Sequence, residues 1–523
     1  MRRPSSPRPT IATVAAAVLA PLLVVPGPAV ALEDTDVSLT AAGSLSSWGR
    51  CASRDLRYGD IECATLRTPM DPDDPAGATV RIAVSRVPHT SSAARYRGVI
   101  LLNPGGPGGS GLAEPLYVSQ ELPAKVRNRY DWIGFDPRGV GASRPRLTCD
   151  NDYFGFDRPD YVPRPRSDLV DWLRRSRDYA EDCASNGQIL RHMRTTDAVA
   201  DMEALRVALG AEQISYLGFS YGTYLGQVYA TLHPERVDRM ILDSNVDPTD
   251  VFYRANLHQD VALQKNLDRW FSWIGKRHRK FRLGTSGEAV AATFDRTSRR
   301  LDRRPAAGKI GSSEWIESFL SVAYSKDFWY GRADVFSQYV RKGRTRPLVR
   351  AYRQAVDFGN DNMFAVYSAV QCTDAPWPTS WSRWSQDNWR VYRKAPNTTW
   401  MNAWYNAPCR HWPAPAGPRF PVDGSQAPAM LLVSGTHDGA TPFAGSLAVR
   451  KEFPRSRLVE IVGDPTHADS LGNRCSLGYV ARFLGSGALP PRRAGDRADV
   501  RCPMGGGGRG WTQSSRSTVP MIP

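Results

Sequence analysis

A serine between two glycines sits where the texture of the chain switches. "ISYLGFSYGTYLG" runs from Ile214 to Gly226 with Ser220 at its centre. The residues before it form a nonpolar run of strand composition. The residues after it, "YGTYLGQVYATLH", have helical texture until Pro234 closes them. A sharp strand-to-helix turn forces the serine into an unfavourable backbone conformation. It also leaves no room for side chains two residues before and two after, which accounts for Gly218 and Gly222. Gly-x-Ser-x-Gly also occurs in ordinary turns. The strand behind this one and the helix in front of it make it read as a nucleophile elbow, a feature of α/β chains.

The rest of the chain supplies the matching elements. "TVRIAVSRV" (Thr79–Val87) alternates nonpolar with other residues, while "GVILLN" (Gly98–Asn103) is continuously apolar, as in a strand covered on both faces. "YDWIGFD", "RMILD", "AMLLVSG" and "RLVEIVG" read as further strands, and "AVADMEALRVALG" as an amphipathic helix ending at Gly210. This alternation predicts an α/β fold with a mostly parallel sheet and helices on both faces. Between "RMILD" and "AMLLVSG" β-like runs are scarce, and "RANLHQDVALQKNLDRWFSWIGK" and "SEWIESFLSVAYSKDFW" have helical periodicity. An inserted, largely helical lid is expected over residues 250–413. Its many tryptophans would mostly fill a second core, with a few lining a pocket. Residues 32–249 and 414–503 would then be the two parts of the core, and the Gly/Ser-rich residues 504–523 a disordered tail.

The first 31 residues have the grammar of a secretory signal. Arg2, Arg3 and Arg8 precede the apolar run Ile11–Val25, and Ala29-Val30-Ala31 forms a small-x-small cleavage site. Pro21 and Pro26 argue against a membrane-spanning helix, so no stable membrane association is expected after cleavage. Export fits the even number of cysteines, none in a C-x-x-C pair. Eight cysteines allow roughly a hundred pairings. Short loops are the easiest to close, which favours Cys51–Cys63, Cys149–Cys183, Cys372–Cys409 and Cys475–Cys502. The formal net charge of +16 is scattered in patches such as "RTSRRLDRR". No zinc-finger, basic-heptad or RNA-binding signature accompanies it, so no nucleic-acid partner is expected. Nothing in the sequence sets an oligomeric state.

A serine hydroxyl needs a base, and the base an orienting acid. His467, in "GDPTHADS", follows the last strand-like run; Asp438, in "SGTHDGATP", follows the strand before it. The chain order Ser220, Asp438, His467 is that of α/β-hydrolases. His437 is the rival base, and Asp243 and Asp247 are alternative acids. An oxyanion hole is expected from the backbone N–H of Tyr221 and from the glycine loop "LLNPGGPGGSG", at Gly106 rather than Gly105. A phosphate-binding loop is disfavoured because Pro104 and Pro107 remove donors and the required lysine is missing.

"NPGGPGGSG", "DWIGFDPRGVGAS", "LGFSYGTYLG", "LDSNVDP", "SGTHDGATP" and the late "ALP…RC" resemble the secreted tripeptidyl aminopeptidases of the prolyl-iminopeptidase-like α/β-hydrolases. The resemblance runs from Cys51 to Cys502, with Pro413 to Cys502 resembling their C-terminal half-domain. It implies cleavage of short peptides, tripeptides in particular, from a free N-terminus, and carries over Ser220, Asp438 and His467. Ala468 departs from the glycine that relatives often have there. The expected activity is that of a secreted serine exopeptidase acting on peptides without metal or organic cofactor. A secreted esterase would use the same apparatus, and a cell-surface binding protein with a vestigial triad is the non-enzymatic alternative. An exopeptidase must also hold the substrate's α-ammonium. Asp374 in "QCTDAPWP" is the first candidate, followed by Asp247 and Glu317.

Overall fold

In a computed structural model, residues 43–57 and 60–505 are described. The expected signal segment and residues 506–523 of the expected tail lie outside them. Strands β1 (Ser44–Leu45), β2 (Gly49–Arg50), β3 (Glu62–Pro69), β4 (Thr79–Val87), β5 (Val99–Asn103), β6 (Asp131–Phe135), β7 (Ile214–Phe219), β8 (Val237–Asp243), β9 (Met430–Gly435), β10 (Arg457–Val462) and β11 (Val500–Pro503) form one sheet. Its order is β1-β3-β4-β6-β5-β7-β8-β9-β10-β11, with β2 beside β3. Pairings up to β4–β6 are antiparallel, and all pairings from β6 through β11 are parallel.

All residues of β5, β7 and β9 are buried, as their continuous apolar composition requires. Alternate side chains separate onto two faces. Leu101, Tyr216, Met240 and Leu432 join one core, whereas Leu102, Leu217, Ile241 and Val433 join the other. From β5 the chain moves first to β6 on one side and then to β7 on the other. Such a reversal opens a crevice beyond the strands' carboxyl ends, where an α/β sheet places its ligands.

The chain between β8 and β9 is helical, from Tyr253–Gly275 to Thr399–Asn406. Trp270, Trp315, Trp384, Trp400 and Trp404 are fully buried there and merge with the core on one sheet face. This helical mass also takes in residues ahead of Ser220. The helix Arg166–Cys183, between β6 and β7, stacks Trp172 on Trp404 with ring centroids 5.8 Å apart. Arg158 pairs with both Glu314 and Glu317 across the same contact. The four cysteine pairs are Cys51–Cys63, Cys149–Cys183, Cys372–Cys409 and Cys475–Cys502. No described cysteine is free.

Candidate active site

Ser220 directly follows β7 with φ 56° and ψ −126°, a conformation rare for any residue with a side chain, and caps the helix Tyr221–Leu232. Its N–H is tied to the carbonyl of Asp243 at 3.0 Å, which fixes the turn to β8. A Cβ on Gly218 would lie 2.4 Å from the Gly222 carbonyl oxygen. One on Gly222 would lie 2.7 Å from the carbonyl oxygen of Asn103. The elbow therefore admits only glycine at both places without backbone movement.

His467 Nδ1 lies 2.9 Å from both carboxylate oxygens of Asp438. Asp438 is buried and is held in turn by the N–H groups of Ala440 and Thr441, at 2.9 and 3.0 Å, and by the Thr441 hydroxyl. The backbone N–H of His467 donates to the carbonyl of Tyr324, in the helical insertion, at 2.7 Å. Asp243, the alternative acid, is fully buried beneath this loop and accepts the Ser470 N–H at 2.8 Å. Burial pushes its carboxyl up to about 6. It does not contact the imidazole nitrogen that Asp438 holds. His437 does not line the site; its carbonyl receives Asn266 Nδ2.

The glycine loop after β5 approaches the elbow so closely that a Cβ on Gly105 would lie 2.4 Å from the Phe219 carbonyl oxygen. The Gly105 N–H is already taken by Asn103 Oδ1 at 2.9 Å. Neither the Gly106 N–H nor the Tyr221 N–H donates to a described residue, and both residues face the same cavity as Ser220 and His467. That cavity has a volume of about 530 Å³. Its wall mixes Phe219, Phe252, Tyr324 and Met363 with the amides of Asn245, Asn256, Gln259 and Gln371.

A family model described as the alpha/beta hydrolase fold matches residues 98–469. The tripeptidyl aminopeptidase of Streptomyces coelicolor is 36% identical over 475 residues, covering 88% of this chain and 86% of its own. The chain belongs to the tripeptidyl aminopeptidase family of α/β-hydrolases. Similar to it as well are the serine protease Hip1 of Mycobacterium tuberculosis, 30% identical over 86% of this chain and 91% of its own, and a carboxylesterase B of the same species, 27% identical over 85% and 88%.

The three acids predicted to hold a substrate amine are placed differently in this α/β-hydrolase. Asp374 does not line the cavity. It is buried beneath it, with Oδ1 accepting the Thr195 N–H at 2.7 Å and Oδ2 the Thr195 hydroxyl, which meets the Tyr221 hydroxyl at 2.6 Å. Glu317 is buried in an ion pair with Arg158 and accepts the Tyr161 hydroxyl at 2.6 Å, also away from the cavity. Only Asp247 is on the wall, where Oδ1 accepts the N–H and hydroxyl of Thr249. No tryptophan lines the cavity, contrary to the expectation for the insertion, because their large faces are used in its core.

The structure adds three residues to the hydrolase site that sequence reading passed over. Asn103 braces the glycine loop, Thr441 clamps Asp438, and Glu114 lies on the cavity wall. Asn103 had a signal: asparagine bonding the N–H two residues on, in "NPG", is a recognised turn device. Ala468 takes φ 59°, the left-handed region, and donates its N–H to the Ser244 hydroxyl at 2.8 Å. The departure from glycine therefore falls at a strained position.

Proposed function

We propose that this serine peptidase is exported and releases short peptides, tripeptides in particular, from the free N-terminus of peptides or proteins. Ser220 Oγ attacks a substrate carbonyl, and His467 takes its proton through the ring nitrogen that Asp438 does not hold. The tetrahedral oxyanion receives the N–H groups of Tyr221 and Gly106. Collapse breaks the C–N bond, His467 gives its proton to the departing amine, and water then releases the acyl group by the reverse use of the same base.

The observation that carries this reading is the cavity in which the two unspent N–H groups meet the strained serine and the Asp438-held histidine. Its size suits a short peptide, and its amide-rich wall offers partners for peptide N–H and C=O groups. The relative named tripeptidyl aminopeptidase supports the choice of substrate. Four disulfides suit an oxidising destination. No helix among the described residues is long and apolar enough to cross a membrane.

The likeness to a carboxylesterase B favours esterase action as the second reading. The test compares a tripeptide anilide with a free amine, its acetylated form, and short-chain nitrophenyl esters. The aminopeptidase reading expects the free-amine anilide to have the highest kcat/KM. Faster cleavage of the esters, with no preference for a free amine, would establish the esterase instead. Failure of a fluorophosphonate to label Ser220 would point to the binding protein.

A further inference from the structure

The cavity wall carries three carboxylates, and two of them are already engaged. Asp250 pairs with Arg254 at 3.0 Å and with His258 at 2.7 Å. Asp247 holds Thr249. The third, Glu114, opens the short helix Glu114–Glu121 that follows the glycine loop. It is only 9% exposed, and its carboxylate has no hydrogen-bond or ion-pair partner among the described residues. No lysine or arginine lines the cavity.

A carboxyl largely withdrawn from water, facing only the cavity and given no protein partner, is a cost to the fold. Its place in the first turn of a helix suits a glutamate, but that does not require burial without a partner. Burial alone pushes the Glu114 carboxyl up to about 7, so an arriving cation would meet a group ready to ionise. With no lysine or arginine on the wall, a cation for this carboxyl would come with the ligand.

We propose that Glu114 receives the α-ammonium of the substrate, holding its N-terminus beside the glycine loop while a carbonyl further along the peptide lies over Ser220. This assignment rests on the aminopeptidase reading and names the side chain that makes the enzyme exo-acting. An extended peptide advances roughly 3.3 Å per residue, so the path from Glu114 to Ser220 would set how many residues are released.

The test uses Glu114→Gln, which keeps shape and removes charge, and Glu114→Met as a second neutral variant of similar length. Fluorophosphonate labelling of Ser220 reports that each is folded. The quantity read is the ratio of kcat/KM for a free-amine tripeptide anilide to that for its acetylated form. A charge-assisted contact in a desolvated site predicts that the ratio falls roughly 10- to 100-fold in both variants, mainly through KM. A ratio unchanged in a folded variant overturns the proposal, and so does a collapse of the ratio in Asp247→Asn alone. A wild-type ratio near one would instead refute the aminopeptidase reading itself, before any variant is measured.

Discussion

Asp374→Asn probes the buried carboxyl beneath the elbow. Asp374 gives both oxygens to Thr195, the first residue of the helix Thr195–Ala208, and through the Thr195 hydroxyl it reaches Tyr221. Desolvation is the largest influence on it and pushes its carboxyl from the ordinary 3.8 up to about 7, against the Thr195 hydrogen bonds that pull it down. Its pKa in the folded state is thus raised above that in the unfolded chain. The stability it confers is complete below about pH 4 and is lost progressively as pH rises through about 7.

Asparagine mimics the protonated carboxyl: its carbonyl can accept the Thr195 N–H, and its amide can donate to the Thr195 hydroxyl. It does not titrate. The variant should therefore match the wild type well below pH 4, and exceed it by about 2 kcal/mol at pH 5 and about 4 kcal/mol at pH 8. Guanidinium unfolding with disulfides intact, at pH 5 and pH 8, measures the two gaps. Other buried acids with raised pKa, such as Asp136 and Asp243, are common to both proteins and cancel in the difference. A variant less stable than the wild type by the same amount at both pH values would mean that Asp374 is ionised throughout and that its charge is needed. The free-amine to acetyl ratio should be unaltered, since Asp374 is not on the cavity wall.

Ser220→Ala and His467→Ala should each lower kcat by about 10⁴- to 10⁶-fold and Asp438→Asn by about 10⁴-fold, with folded protein by circular dichroism. If Asp243→Asn proves as damaging as Asp438→Asn, the acid has been assigned to the wrong strand. Gly222→Ala puts a Cβ 2.7 Å from the Asn103 carbonyl oxygen and 2.8 Å from its Oδ1, forcing apart the elbow and the brace of the glycine loop. Steady-state kinetics should show kcat lower by roughly 10- to 100-fold with a smaller change in KM. Ala468→Gly removes a left-handed strain of about 1–2 kcal/mol at the cost of about 0.5–1 kcal/mol of backbone freedom. Denaturant unfolding should show a net gain of about 0.5–1 kcal/mol, and a loss would show that the alanine methyl packs usefully.

The elbow was legible because its demands are local. Ser220 needs a strand before it, a helix after it and bare α-carbons at Gly218 and Gly222, all within thirteen residues. Chain order pointed to Asp438 and His467, each following its own strand, and the structure brings their side chains within 2.9 Å. The choice of Gly106 over Gly105 matches an N–H that Asn103 leaves unspent, though the asparagine itself was overlooked.

Which acids face the cavity was not legible, because whether a carboxylate meets a cavity depends on partners far along the chain. Asp374 is claimed by Thr195, 179 residues away, and Glu317 by Arg158, 159 residues away. Glu114 looks like any helix-starting glutamate until the cavity closes over it. The helix Arg166–Cys183 escaped notice because "RSDLVDWLRRSRDYAEDC" is polar enough to pass for surface chain, and its packing against Trp404 appears only in the fold.

The hydrogen bond from the His467 backbone to Tyr324, together with Asn266 Nδ2 bridging the carbonyls of Ala323 and His437, stitches the insertion to both loops that follow β9 and β10. A cover fastened in this way is not a hinged flap. Swinging it aside would break the backbone bond that steadies His467, so a route of entry that leaves the Tyr324 corner still would keep the base in place. Exchanging insertions between relatives to retune selectivity would accordingly succeed only where the graft brings its own carbonyl to the same spot. A chimera lacking that carbonyl would fold with an intact serine and a wandering histidine.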